Sequence, residues 1–459
     1  MSCRPDRTPQ SQSGSIHTRP ASRRTVAEVG LQLTLAVLHP CLVSFFSSFT
    51  NGIITVGLPT IVSAISLERS LYTWPSSVFG LTSGSLLLIA GAVSDLIGAR
   101  YIELIGIFLF GIATIGCGLP RTGIDLIISR ALQGVAIAPH LPASVALVLA
   151  VLPSSRIRNI GFSCLGLSQP FGFAVGLVLG GIVLERVSWS AAFYVAGAPV
   201  LAIALTSWWA LPKSPTTSTR SDNVPSVWRR LYTEIDWVGA GLASIGLALL
   251  SYVLAILSAD IAVFPAWMHF REEKGHPPLV PNSLWRKLPF TTICIMLALS
   301  YGQQNSVELY SSLYFQEVQS ASTLTASLYL LPNLIAGTII NLTMGLILAP
   351  LGGDTLFTVG LLVVSDSFPE MTQSLAVAVF NTAAQFGLTI GIGMCQVVAL
   401  SIEDLDASEK DPILQCYRAS FWTMTAYMLT RVVLAMTGLR KIGAVGLKRD
   451  QIVNIAART

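Results

Sequence analysis

Charge is the scarcest property of this chain: Asp, Glu, Lys and Arg make up 11% of its 459 residues, against 52% that are apolar. A soluble globule of that length carries roughly a quarter charged residues, so a soluble fold is excluded. Histidine is rarer still. His17, His39, His140, His269 and His276 are scattered, with no HExxH and no paired-carboxylate arrangement, which argues against a membrane enzyme and against a zinc site. No metal and no cofactor are expected. The cysteines, Cys3, Cys41, Cys117, Cys164, Cys294, Cys395 and Cys416, are odd in number and lack ligand spacing, so they read as packing residues rather than a disulfide framework. The chain contains no P-loop and does not itself hydrolyse ATP for work. Its net charge of +4 lies in tails and loops, which removes nucleic acid as a partner.

What is plentiful is apolar sequence in long runs. A spanning helix needs about 20 such residues. Runs at 33–63, 76–97, 102–119, 123–151, 159–184 and 190–211 predict an N-terminal bundle of about six helices within residues 31–211. Residues 1–30, rich in Ser, Thr, Pro and Arg, are expected to be a disordered cytoplasmic tail. The stretch 212–236, with Lys213, Arg220, Arg229 and Arg230, is the longest internal hydrophilic segment and predicts a cytoplasmic linker. Residues 237–438 then form a second helical bundle and 439–459 a basic cytoplasmic tail. Arg100, Arg156, Arg158 and the linker all fall on the side of the N-terminal tail, which sets that side as cytoplasmic.

The second half is less regular. Clear helices are predicted at 288–311, 373–400 and 418–438. By contrast, Trp237 to Phe270 covers about 51 Å as a helix, too long for one crossing and too short for two with a turn. Between Leu324 and Ser365, Pro350-Leu351-Gly352-Gly353 breaks the apolar run and leaves a short second piece.

Four motifs occur in order along the chain. Gly91 to Arg100 has the form G-x-x-x-D-x-x-G-x-R; Arg130-Ala131-Leu132-Gln133-Gly134 has the form R-x-x-Q-G; Gly172 to Gly181 is glycine-rich; and Trp189 with Phe193 opens the sixth helix. Together these resemble the major facilitator superfamily. Trp74, Gln133 to Pro142, and the segments near Gly352 and Ser365 are similar to its fungal aminotriazole-resistance-like members, in the fourteen-helix drug:proton antiporter branch. The resemblance implies an all-α integral membrane protein with a two-bundle fold. About 12 helices are expected, where the branch has fourteen. It also implies secondary active, proton-coupled efflux of drugs or fungal secondary metabolites by a monomer in the plasma membrane. The partners would be a small organic substrate, protons and the bilayer. The alternative is a shortened relative that does not transport, acting as a remnant or sensor.

Particular residues are singled out on physical grounds and on that resemblance. Gly91, Asp95, Gly98 and Arg100 are gating candidates: the resemblance implies that Asp95 and Arg100 hold the cytoplasmic ends of helices two, three and a helix of the second half together in one state of the cycle, as a charge pair or helix-end contact, the alternative being a solvated turn. Arg130 is a cation within an apolar helix, with Gln133 on its face and Gly134 beside it, and is expected to handle substrate or protons. Gly172, Gly176 and Gly180 recur every four residues, and with Gly181 they provide a smooth face for tight packing. Gln303, Gln304, Asn305 and Glu308 are expected at the end of a helix, either at an outer vestibule or as an interfacial cap. Asn381 and Gln385 are expected to line a substrate cavity.

The chain also departs from the pattern. Thr50 stands where the first helix usually carries an acid, Leu96 and Ala99 replace basic residues, and Leu177 replaces a proline. Glu308 or Asp354 must then carry any proton, and Glu308 is favoured for its polar neighbours.

Overall fold

A computed structural model describes residues 26–68, 71–152, 156–211, 237–238, 241–242, 288–347, 370–405 and 412–438. All the regular elements among them are helices. The first half comprises α1 (Val26–Ile65), α2 (Trp74–Ile97), α3 (Ala99–Gly116), α4 (Gly123–Ile137), α5 (His140–Val151), α6 (Arg156–Arg186) and α7 (Trp189–Ala210). In the second half lie α8 (Leu288–Glu317), α9 (Thr323–Ile347), α10 (Glu370–Leu405) and α11 (Pro412–Gly438). The expected linker, the Trp237–Phe270 stretch, the Pro350 break with Asp354, and both tails lie almost wholly outside the described residues.

Apolar side chains encircle these helices, so they hide in lipid and in one another rather than presenting a wet face. Seven described segments are long and apolar enough to cross a membrane: six in the first half, plus Val379–Ile402 in α10. The surface is correspondingly apolar, with Ile105, Phe108 and Ile112 of α3 about half exposed at helical spacing. The 123–151 run, expected as one helix, is divided at Ala138-Pro139 into α4 and α5. Pro139 and Pro142 bring no N–H to the ladder, which interrupts it without ending the span. At the other end of α4, Thr122 and Asp125 form a reciprocal capping box.

Glycine sets the distance between helices. A Cβ on Gly172 or Gly176 would collide with the carbonyl oxygens of Phe45 and Phe49 on α1, and one on Gly180 would lie 3.0 Å from Ile53. Gly52 answers from α1, lying 2.6 Å from the Phe173 carbonyl by the same measure. Gly181 faces elsewhere, towards Ser327 and Leu324 on α9. The second half repeats the device: Gly387 and Gly391 of α10 meet the backbone of α8 at Ala298 and Gly302. The two halves meet each other along α2 with α10 and along α6 with α9.

Candidate functional site

Between the halves lies a cavity of about 780 Å³. Its walls mix apolar side chains, among them Phe79, Phe173, Leu297 and Leu388, with Ser47, Asn51, Gln169, Tyr301, Asn305 and Asn333. The acid, the imidazole and the guanidinium among its lining residues are Glu308, His140 and Arg431. Glu308 accepts from Gln304, one turn earlier on α8, and Arg431 Nη1 donates to Ser300 Oγ at 2.8 Å. Ser300, Gln304 and Glu308 recur every four residues and therefore form one polar stripe on α8. This corrects the expected placement of Gln303, Gln304, Asn305 and Glu308 at a helix end. Apolar packing of Leu309, Tyr310 and Leu313 continues α8 to Glu317, so the cluster sits well inside the helix.

One end of the cavity is closed by hydrogen bonds between the halves. Glu185 Oε1 accepts from the Leu324 N–H at 2.8 Å, and Gln316 donates to the Val56 carbonyl at 3.0 Å. Ser327 donates to the Leu177 carbonyl at 2.9 Å, and Thr73 bonds Gln396. Glu317 takes hydroxyls from both halves, Tyr72 at 3.0 Å and Tyr417 at 2.8 Å. These groups gather at the end that carries the connections at 66–73, 187–188 and 318–322.

Gln385 of α10 lines the cavity and accepts from Ser83 at 3.4 Å, whereas Asn381, one turn earlier, is buried and is not among the lining residues. Arg130 is fully buried behind the wall. Its Nε donates to the Pro75 carbonyl at 2.9 Å, its Nη2 to Asn51 Oδ1 at 2.7 Å and its Nη1 to Gln133, while its guanidinium lies 4.5 Å from the Phe79 ring centre. Gln133 in turn donates to Thr114 Oγ1 at 2.8 Å, so it too is occupied within the bundle. Arg130 thus reaches the cavity through Asn51 and Phe79, which do line it. Gly134 allows α4 to approach α2: a Cβ there would lie 2.6 Å from the Phe79 carbonyl. Thr50 is buried and donates to the Ser47 carbonyl.

The α2–α3 connection is Gly98 alone, with φ of +106°, a conformation that L side chains avoid. Gly91 is buried in α2, and the side chain of Asp95 lies outside the described residues. Arg100 donates through Nη2 to the Trp208 carbonyl at 2.6 Å. This bond caps the C-terminal end of α7, where exposed carbonyls favour a cation.

Sequence reasoning missed a second buried polar cluster, formed by Glu103, His140 and Ser44. His140 Nδ1 is 2.7 Å from Glu103 Oε1, and Nε2 is 2.8 Å from Ser44 Oγ. The available signal was Glu103 itself, an acid inside an apolar run and as deep as Arg130.

A membrane-embedded helical protein in two halves, with an amphipathic cavity between them closed at one end, is built as a carrier for small molecules. The family model of the Major Facilitator Superfamily matches residues 41–354, and the chain belongs to that superfamily. Similar proteins include MFS-type transporter 1 of Pyricularia oryzae, 29% identical over 95% of this chain and 88% of its own length. The aminotriazole resistance protein of Saccharomyces cerevisiae is 23% identical over 83% of this chain and 80% of its own. The multidrug efflux pump LfrA of Mycolicibacterium smegmatis is 25% identical over 92% and 82%. Among solved structures, that of the peptide transporter POT in complex with sulfate superimposes with a TM-score of 0.61 at 14% identity, covering 90% of this chain and 96% of that one. That likeness speaks for the fold alone. The chain is thus a multi-pass membrane transporter protein of a fungal type, as the motifs implied.

Proposed function

We propose that this protein is a proton-coupled exporter of amphipathic organic molecules, drugs or secondary metabolites, working as a monomer in the plasma membrane. The observation that carries the reading is the cavity. Its volume is that of a drug-sized ligand site, and its walls offer apolar surface together with a few converging polar groups. Efflux and resistance relatives support the direction of transport and the substrate class. With the arginine-bearing connections on the cytoplasmic side, the end held by these hydrogen bonds is the outer one.

Proton coupling is assigned to Glu308, which faces the cavity with Gln304 as its partner. Gating at the outer end falls to Glu317, Glu185 and the hydroxyls around them. The gating assignment for Gly91, Asp95, Gly98 and Arg100 is retained as part of this proposal, with Arg100 acting through α7.

One observation favours a second reading, a relative that does not transport. The alignment with the Pyricularia protein runs over 544 positions, more than this chain possesses, so stretches of that relative have no counterpart here. Expression in a drug-sensitive host challenged with a panel of toxic compounds decides between the two. An exporter lowers intracellular accumulation and loses that effect when the pH gradient is collapsed; a protein that reaches the membrane and changes neither is the second kind.

A further inference from the structure

We infer that Glu103, His140 and Ser44 form a second proton-binding site, one that opens on the cavity through His140 and Ser44. The inference rests on the carrier reading for its purpose but not for its chemistry. Glu103 (α3) is 0% exposed, His140 (first residue of α5) is 1% exposed and Ser44 is on α1, so three helices converge on one imidazole. Both ring nitrogens are engaged, by carboxylate at 2.7 Å and hydroxyl at 2.8 Å. Glu103 Oε2 is buried with no hydrogen-bond partner among the described residues. A carboxylate so placed is too costly to hold for packing alone, because an apolar side chain of similar volume fills the space without the desolvation penalty. An imidazole shared between a buried acid and a cavity-lining hydroxyl is instead the arrangement that moves a proton between them.

The step balances simply. In the unloaded form His140 is neutral, its Nδ1–H donates to Glu103 Oε1, and its Nε2 accepts from the Ser44 hydroxyl. A hydronium in the cavity gives one proton to Nε2 and leaves as water; the Ser44 hydroxyl turns and accepts from the new Nε2–H. The cluster passes from one negative charge to none. A neutral cluster is cheaper to shut away from water, so proton uptake favours the occluded form of the cavity.

Other titratable groups stand on the surrounding helices, among them Cys41, three residues before Ser44 on α1. Arg100, one turn before Glu103, is on the Trp208 carbonyl, and His39 of α1 contacts the Leu35 carbonyl and Thr206. Arg130 is bound within α4 and to α1 and α2, Asp125 is in its cap at the far end of α4, and Tyr194 of α7 donates to the Gly118 carbonyl. On α2 the titratable group is Asp95, whose side chain lies outside the described residues. α6 contributes Cys164 and, at its closed-end terminus, Glu185 and Arg186, with Arg156 and Arg158 at its start. On α10 the acids Glu370, Glu403 and Asp404 are at the helix ends and Cys395 is in the closed-end core.

The test uses the full chain in lipid nanodiscs with ¹⁵N-labelled histidine, the His140 signal being assigned by its loss in His140→Asn. The expected result is that His140 changes from singly to doubly protonated on acidification, and that Glu103→Gln abolishes the change. A wild-type His140 that keeps one form throughout overturns the site without recourse to any variant, and so does an unaltered titration in Glu103→Gln. A parallel assay in proteoliposomes follows ethidium under an imposed pH gradient. Loss of gradient-driven movement in Glu103→Gln and His140→Asn supports coupling; movement equal to wild type in both overturns it. A wild-type chain that titrates at His140 but moves no ethidium supports the proton site and counts against the transport reading for that probe.

Discussion

Arg130 in the first half and Glu308 in the second are both charges sunk in the membrane, 0% and 5% exposed, yet they are held in opposite ways. The guanidinium is held from three directions by Pro75, Asn51 and Gln133 and lies over the Phe79 ring. The carboxylate has Gln304 beside it on its own helix and the cavity in front. A charge tied to several helices cannot change its state without disturbing all of them. One tied to its own helix and open to a hydrated space can gain or lose a proton at little structural cost. The comparison therefore separates a group that organises the bundle from one free to take part in a cycle. The frame around both is the same, because α6 on α1 and α10 on α8 use glycine to bring backbones into contact.

The largest expected effect comes from breaking that shared frame. Gly387→Val places atoms where the Ala298 backbone already lies, while Gly393, on the same helix, has nothing within 4 Å of a Cβ. Backbone against backbone leaves no flexible side chain to yield, so the cost exceeds the roughly 1–3 kcal/mol usual for overpacking. Gly387→Val and Gly176→Val should each remove the monodisperse peak of a fluorescent fusion on size-exclusion chromatography, with Gly393→Ala unaffected. Should Gly176→Val be tolerated while Gly387→Val is not, the halves are not built alike.

An intermediate effect is expected at Arg130. Removing its side chain leaves the Pro75 carbonyl and Asn51 Oδ1 without that donor, at about 1–3 kcal/mol for each group left unsatisfied, and Gln133 Oε1 with only the weak Cys117 thiol donor. Arg130→Ala should lower the midpoint of thermal unfolding clearly below that of Glu308→Gln in the same detergent. If it unfolds no earlier than Glu308→Gln, the network around Arg130 does not hold the bundle, and the sequence-based expectation of a direct role in transport regains its force.

Much of the frame was legible because membrane helices leave a one-dimensional record. Apolar runs of spanning length gave the six crossings of the first half to within a few residues at most ends. Gly172, Gly176 and Gly180 declared a packing face by their spacing alone, since nothing else explains small residues every four positions. The depth of a polar residue was harder to read. Gln304 and Glu308 looked terminal because polarity normally marks a helix end, and only the packing of Leu309 and Leu313 shows α8 running on. The partnership of Glu103 with His140 was invisible, since 37 residues separate them and a lone histidine in an apolar run carries no periodic signal. Arg100 is hard to read for a related reason: a charge at a helix start does not say which carbonyl it will reach.

The smallest structural effect, with a specific functional one, is expected at Glu308. Glu308→Gln keeps the size and hydrogen-bonding capacity of the side chain and removes only the ability to carry a proton, so the fold should be unchanged. In proteoliposomes, the variant should lose uphill export driven by a pH gradient while retaining exchange of labelled for unlabelled compound across the membrane, because exchange needs the cavity to alternate but needs no net proton movement. The contrast with Arg130→Ala is the decisive feature: one variant is stable and uncoupled, the other destabilised. Uphill export that persists in Glu308→Gln and is still abolished by collapsing the gradient excludes Glu308 as the obligatory carrier. The proton must then bind elsewhere, and the Glu103–His140 pair becomes the first place to look, where Glu103→Gln in the same assay should produce the uncoupling that Glu308→Gln did not.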